Sequence, residues 1–253
     1  MTKFENADPQ NAKQVDIVTL FPEMVLNLSQ FGVVGRAIEK QLISIKVHNP
    51  RDFTSNRRID DRPYGGGPGM VMQFEPLQKA IQFSRDNNQA ARVIYLSAQG
   101  KPLQQEDVER LGGYPGMILL AGRYEGIDER LIEAEVDEEL CIGDFVVSGG
   151  ELPAMMMLDA IIRQIPGALG HEDSAQQDSF VDGLLDCPHY TRPECVEERA
   201  VPEVLLGGDH LAIRRWRKKQ SLGRTYTRRP DLLEKLTLSD DEQALLEEYM
   251  REQ

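Results

Sequence analysis

An α/β fold built on a mainly parallel sheet is predicted by three features of this sequence. Short runs rich in Val, Ile and Leu (Gln14 to Phe21, Ile43 to His48, Ala91 to Ser97, Met117 to Ala121) alternate with amphipathic stretches of helical length. Gly and Pro punctuate the junctions, which keeps the connections short. The stretch from Pro153 to Ile165 is apolar almost all round and is stopped by Pro166-Gly167, as a buried helix would be. Helices alternating with strands cover both faces of a sheet, and that favours parallel pairing.

Pro22 suits the first turn of a helix that continues through Leu28 and, after Gly32, through Ala37 to Gln41. Asn49 to Gly69 is a loop. Its end, from Pro63 to Gly69, has four glycines and two prolines in seven residues, which excludes regular structure and leaves a tight turn or a flap around Tyr64. Helices are expected over Glu75 to Asn87 and Gln104 to Leu111. Glu133, Glu135, Asp137, Glu138 and Glu139 flank Val136 and Leu140, which favours a strand with a wet face over a cation site. Asp159 and Arg163 lie four apart, so they share one helix face and can pair there.

Residues 168–182 are rich in Ser, Gln and Asp, lack periodicity and read as a linker that orders on binding a partner. The expected organisation is a polar extension over 1–14, an α/β domain over 15–167, this linker, and a small helical domain over 183–253. In that last domain Asp209 caps a helix ending near Gly223, and Ser239 to Glu242 form a capping box for a final helix.

A length of 253 residues, 40% hydrophobic and 28% charged, fits a globular chain with ample core. No apolar window approaches the roughly 18 residues of a membrane span, and no secretory signal is read at the start. Three cysteines, an odd number, favour reduced thiols and a cytoplasmic location. Cys187, His189 and Cys195 lack the paired spacing of a zinc site. The net charge of −13 disfavours nucleic acid, but eight of the sixteen residues from Arg214 to Arg229 are basic and none is acidic. Such a stripe either attracts phosphate or is a solvated helix face. Trp216 within it could stack a base or anchor its helix.

The small-molecule site is expected between Tyr114 and Pro153. There, two predicted strand ends deliver two Gly-bounded loops, Gly122 to Gly126 and Ile142 to Gly150. Ligands of open α/β sheets sit beyond such strand ends, and glycine lets backbone approach them closely. The patterns of a phosphate loop and of a dinucleotide fingerprint are both absent.

Asp60–Met70 (DDRPYGGGPGM), Ala121–Arg130 (AGRYEGIDER), Ile142–Met155 (IGDFVVSGGELPAM), Leu184–Glu194 (LLDCPHYTRPE) and Ile213–Thr225 (IRRWRKKQSLGRT) resemble, in order, segments of the bacterial tRNA (guanine-37-N(1))-methyltransferases. These belong to the SPOUT class of S-adenosylmethionine-dependent enzymes. The resemblance implies a deep trefoil knot in the α/β domain, which a prior against threaded chains would have rejected. It implies that the cofactor lies against Leu96, then Gly122, Tyr124, Glu125 and Gly126, then Ile142, Gly143, Asp144, Phe145, Val146 and Val147, with Gly149, Gly150 and Leu152. It implies Asp178 as general base and Arg163 as the cation stabilising the transition state. It implies tRNA contacts from Arg214, Arg215, Lys218, Lys219 and Arg224, a homodimer with a shared active site, and a magnesium requirement without a site in this sequence. Two rival readings are another SPOUT enzyme acting on a ribose or on ribosomal RNA, and a non-catalytic RNA-binding protein.

Overall fold

The computed structural model describes residues 12–170 and 172–252. The extension expected over 1–14 lies outside the described residues except at its end, where Lys13 and Gln14 already belong to the first strand. Two compact units divide the chain, Met1–Glu172 and Asp173–Gln253.

The first unit contains β1 (Lys13–Val18), α1 (Pro22–Leu28), α2 (Gly32–Glu39), β2 (Ile43–His48), β3 (Asp60–Asp61), β4 (Val71–Met72) and α3 (Phe74–Asn87). There follow β5 (Arg92–Pro102), α4 (Gln105–Gly112), β6 (Gly116–Leu120), α5 (Glu129–Glu135), β7 (Glu138–Cys141) and α6 (Glu151–Arg163). Five strands form one sheet in the order β2-β1-β6-β5-β7, with every pairing parallel. The two-residue strand period sorts the core. Val15, Ile17, Ile94, Met117 and Leu119 face a layer built by α1, α2, α4 and α6. Val18, Val93, Tyr95, Ile118 and Leu120 face α3 and α5. Each such fully buried aliphatic side chain contributes about 1.5–3 kcal/mol, which is why the alternation fixes the register.

A buried charge also lies within the sheet. Asp16 is fully buried, and its carboxylate accepts from Gln14 Nε2 (2.7 Å) and Asn88 Nδ2 (3.0 Å) and pairs with His48 Nε2 (2.7 Å). Burial raises its pKa, but these three partners outweigh burial and hold the carboxyl below the usual range.

Three sequence expectations shift. The acidic run is no single strand: Glu133 and Glu135 lie on α5, and only Glu138–Cys141 pairs in the sheet. Asp128 causes this by capping α5, accepting from the Arg130 N–H. Second, α6 starts at Glu151 rather than Pro153, because a proline at the third helical position removes only an N–H that has no intrahelical partner. Third, β5 runs past Ser97 through an irregularity between Leu96 and Lys101, where a Cβ on Gly100 would fall 2.5 Å from the Glu139 carbonyl carbon.

The second unit contains a 3-10 helix over Glu172–Gln177 that begins at the boundary, the two-residue strands β8 (Cys195–Val196) and β9 (Arg199–Ala200), and the helices α7 (His210–Arg228), α8 (Pro230–Leu233) and α9 (Asp240–Arg251). Leu184, Leu222, Leu245 and Leu246 are its core. Gly223 does not end α7, as its type had implied. It lies mid-helix, and a Cβ there would fall 2.3 Å from the Tyr249 ring of α9, so its absence lets the two helices close together. No helix among the described residues is long and apolar enough to cross a membrane.

The capping box at Ser239 is present: Glu242 accepts from the Ser239 N–H (2.9 Å) and pairs with Lys218 Nζ (2.9 Å). The backbone N–H of Ser239, then Lys218, lowers the Glu242 carboxyl to about 2 from an ordinary 4.5. The folded value is the lower one, so the contribution is complete above 4.5 and is lost as the pH falls through about 2. Acid titration by far-ultraviolet circular dichroism should therefore show wild type losing its stability advantage over Glu242→Gln in that window. Parallel curves would show that the cap does not act.

Candidate active site

The carboxyl ends of β5, β6 and β7 open into one cavity of about 330 Å³. Its walls are Leu96 and the arch after it, the loop Gly122–Gly126, and the loop Ile142–Gly150. Glycine is required here for identifiable reasons. A Cβ on Gly122 would sit 2.9 Å from the Tyr95 ring, and one on Gly150 would sit 2.6 Å from Ala121 Cα. Gly143 adopts φ +153°, and Tyr124 takes the left-handed φ of +62°. The cavity floor holds Cys141, whose thiol donates to the Gly143 carbonyl (3.0 Å). Burial, then Glu139 and Glu129, raises the Tyr95 phenol to about 12, so it stays protonated.

Twelve of the fourteen residues expected at a cofactor line this cavity. The other two, Asp144 and Leu152, do not. Asp144 is exposed just beyond the turn at Gly143, and Leu152, in the first turn of α6, is 44% exposed. Ser148, within the second expected loop, and Pro153, at the end of the expected stretch, also contribute to the wall, though neither was among the fourteen.

Sequence reading missed the pair that joins the two loops. Glu151, fully buried at the start of α6, accepts from Thr19 Oγ1 (2.7 Å) and from Arg123 Nε (2.7 Å). Arg123 Nη1 donates to the Ser148 carbonyl (3.1 Å), and its guanidinium lies 4.4 Å from the centre of the Phe21 ring. The Gly150 N–H donates to the Gly122 carbonyl (2.8 Å), and Arg123 bridges to Gly149. A carboxylate opening an otherwise apolar helix was the available signal.

The glycine-rich segment is a hairpin stitched to the first loop. β3 pairs antiparallel with β4, the Glu125 N–H donates to the Met70 carbonyl (3.0 Å), and the Met72 N–H donates to the Gly126 carbonyl (2.9 Å). Tyr64 at its tip is fully exposed, and Gly65, Gly66, Gly67 and Gly69 all have positive φ.

Arg163 is the half-buried last residue of α6 in the first unit, and Asp178 is exposed in the bend after Gln177 in the second. Of the five cations expected to meet RNA, three are engaged by α9. Arg215 pairs with Glu248, Lys218 with Glu242, and Lys219 with Glu248 (2.9 Å) and Glu252 (2.6 Å). Lys219 is 8% exposed. Its burial lowers the pKa, but Glu252 and Glu248 outweigh that and keep it charged. Sequence alone hid these Lys219 pairings because the acids lie in and just beyond another helix.

Breaking the loop-joining pair should be costly, since it leaves a partly buried cation without its carboxylate. Glu151→Gln, nearly isosteric, is expected to lower unfolding stability by about 3 kcal/mol in denaturant titration. A change below about 1 kcal/mol would mean that water already screens the pair.

Comparison with known proteins agrees with this geometry. The family model described as tRNA (Guanine-1)-methyltransferase TrmD matches residues 13–235. Three relatives carry the name tRNA (guanine-N(1)-)-methyltransferase. That of Pseudomonas putida KT2440 is 58% identical over 242 residues, covering 94% of this chain and 97% of its own length. That of Alcanivorax borkumensis SK2 is 60% identical over 247 residues, covering 94% and 93%. That of Aromatoleum aromaticum EbN1 is 58% identical over 252 residues, covering 97% and 96%. With the match running through both cavity loops and the basic helix, the chain belongs to the tRNA (guanine-1)-methyltransferase TrmD family of SPOUT enzymes.

Proposed function

We propose that this enzyme transfers a methyl group from S-adenosylmethionine to nitrogen 1 of guanosine 37 in tRNA, beside the anticodon. The observation that carries the reading is the pair of glycine loops held around one cavity, in a chain whose relatives bear the corresponding name. The cavity suits such a cofactor. Its two glycine loops bring backbone to the wall, where N–H and C=O groups can read an adenine edge without a phosphate cradle. The cofactor supplies a methyl group on a positively charged sulfur.

The chain's own residues handle the proton and the charge. Nitrogen 1 of neutral guanine carries a proton and is a poor nucleophile until it leaves. Asp178 takes that proton as general base. Arg163 faces the negative charge that develops on the 6-carbonyl oxygen. These roles follow from the family resemblance, and the type of each side chain supports them.

In the same reading the first unit carries a trefoil knot through the cavity loops, residues 168–182 link the domains, and residues 183–253 form a helical tRNA-binding domain. The enzyme works in the cytoplasm as a homodimer in which Asp178 serves the partner's cofactor. Supporting a second copy, Phe21, Leu26, Phe31, Leu152 and Met156 leave much apolar surface exposed on the first unit. No step is assigned to magnesium. The one group of three or more metal-ligating side chains among the described residues is Asp186, Cys187 and His189, and a thiol with an imidazole suits a softer metal.

A methylation assay on an unmodified transcript, read by mapping methylguanosine, tests the reading: guanosine at position 37 gives product and adenosine there gives none. Asp178→Asn is expected to lower turnover at least about 100-fold, the scale of one general base, and to leave calorimetric S-adenosylmethionine affinity within about twofold. Equal loss of both would make Asp178 structural.

A further inference from the structure

Helix α7 sorts its cations by face. Arg215, Lys218 and Lys219 turn toward α9 and are paired with its glutamates. Arg214, Arg217, Arg224 and Arg228 recur at helical spacing on a separate stripe. Among the described residues none of these four has an acidic partner within ion-pair distance, and Arg214, Arg217 and Arg228 are exposed.

Beside that stripe the chain presents an aromatic ring on a rigid mount. Leu184 is buried against Leu222 in the core, and the Leu185 N–H donates to Thr225 Oγ1 on α7 (2.8 Å). The Asp186 N–H donates to Ser179 Oγ (2.9 Å). The Asp186 carboxylate accepts the Cys187 N–H (2.6 Å) and pairs with His189 Nε2 (2.7 Å). Cys187 points inward, 5% exposed, and Arg217 lies near enough for its charge to act on that thiol. Tyr190 then emerges 49% exposed, its ring 6.4 Å from Trp216 and tilted by 52°. Trp216 precedes Arg217 on α7, about 100° round the helix, so the ring stands on the face next to the stripe.

We propose that Tyr190, braced by Trp216, is a stacking platform for an unpaired base of the tRNA, while Arg214, Arg217, Arg224 and Arg228 hold the adjoining phosphates. This rests on the tRNA reading above and adds to it a site outside the methyl-transfer cavity. Uncompensated arginines on a chain of net charge −13 select a polyanion. A half-exposed, pre-positioned aromatic ring beside them selects one whose bases are accessible, which is single-stranded RNA. The mount lowers the ordering cost of the contact, because the segment before Tyr190 is already fixed.

Binding of an unmodified tRNA transcript to the full chain, over a salt series, tests this. Tyr190→Ala is expected to weaken binding about 10-fold, and Tyr190→Phe less than about twofold, with the salt slope unchanged in both. Arg214→Ala with Arg217→Ala is expected to lower the slope by about two. All three variants are expected to keep wild-type S-adenosylmethionine affinity by calorimetry. Trp216 is the only tryptophan, so its emission in wild type should fall as tRNA is added, whether or not Tyr190→Ala folds. Unchanged emission, or wild-type affinity in a folded Tyr190→Ala, would overturn the platform while leaving the methyltransferase intact. A wild type that neither binds nor methylates tRNA would instead overturn the functional reading itself.

Discussion

The first unit depends on a carboxylate that has no access to water. Glu151 holds β1 through Thr19, the first cavity loop through Arg123 and, by way of Arg123, the second loop at Ser148. An isolated buried charge is costly; the Thr19 hydroxyl and the Arg123 guanidinium make this one tolerable. The geometry around it leaves no slack. The backbone of Gly150 lies against Ala121 and Gly122, so a side chain there would push apart the loops that the ion pair draws together. Sterics and electrostatics thus enforce the same separation, and that separation is the width of the cavity.

A parallel sheet makes such a clamp both possible and necessary. All five strands point the same way, so β5, β6 and β7 release their loops at one edge, where the sheet's hydrogen bonds no longer restrain them. The helix layers fix the strands through aliphatic burial. What shapes the site beyond the sheet is a small set of polar contacts: Glu151 with Arg123, Gly150 with Gly122, and the hairpin strands with Glu125 and Gly126. The core gives the unit its stability, and these contacts give the cavity its form.

The fold was legible because its signals are local. Strand period, proline starts and the capping box at Ser239 each concern a few consecutive residues, and the corresponding elements appear within a few positions of where they were expected. Glycine was misread where its reason lies elsewhere in the chain. Gly223 looked like a helix stop because nothing nearby announces Tyr249, and Gly100 sits within a strand because Glu139 comes close. The cavity loops could be located from their glycines, yet the pairing of Arg123 with Glu151 could not. Their partners are 28 residues apart in sequence, with Thr19 a further 132 from Glu151, and no periodicity links them. The pairing of Lys219 was hidden the same way, within a run of like charges whose partners come from another helix and its end.

That last case bears on how an acidic protein can meet RNA at all. If all eight cations between Arg214 and Arg229 faced outward, affinity for any polyanion would be high and nearly indiscriminate. Glu242, Glu248 and Glu252 withdraw three of them into contacts within the unit, and Asp231 engages Arg229. What remains is a narrow line of arginines, too few for tight binding through phosphates alone on a chain with this overall charge. Such a surface favours a ligand offering something besides phosphate at the right spacing. In the proposed reading, discrimination arises from removing cations as much as from supplying them: α9 would limit the general attraction and leave contacts to a base to decide which RNA stays bound.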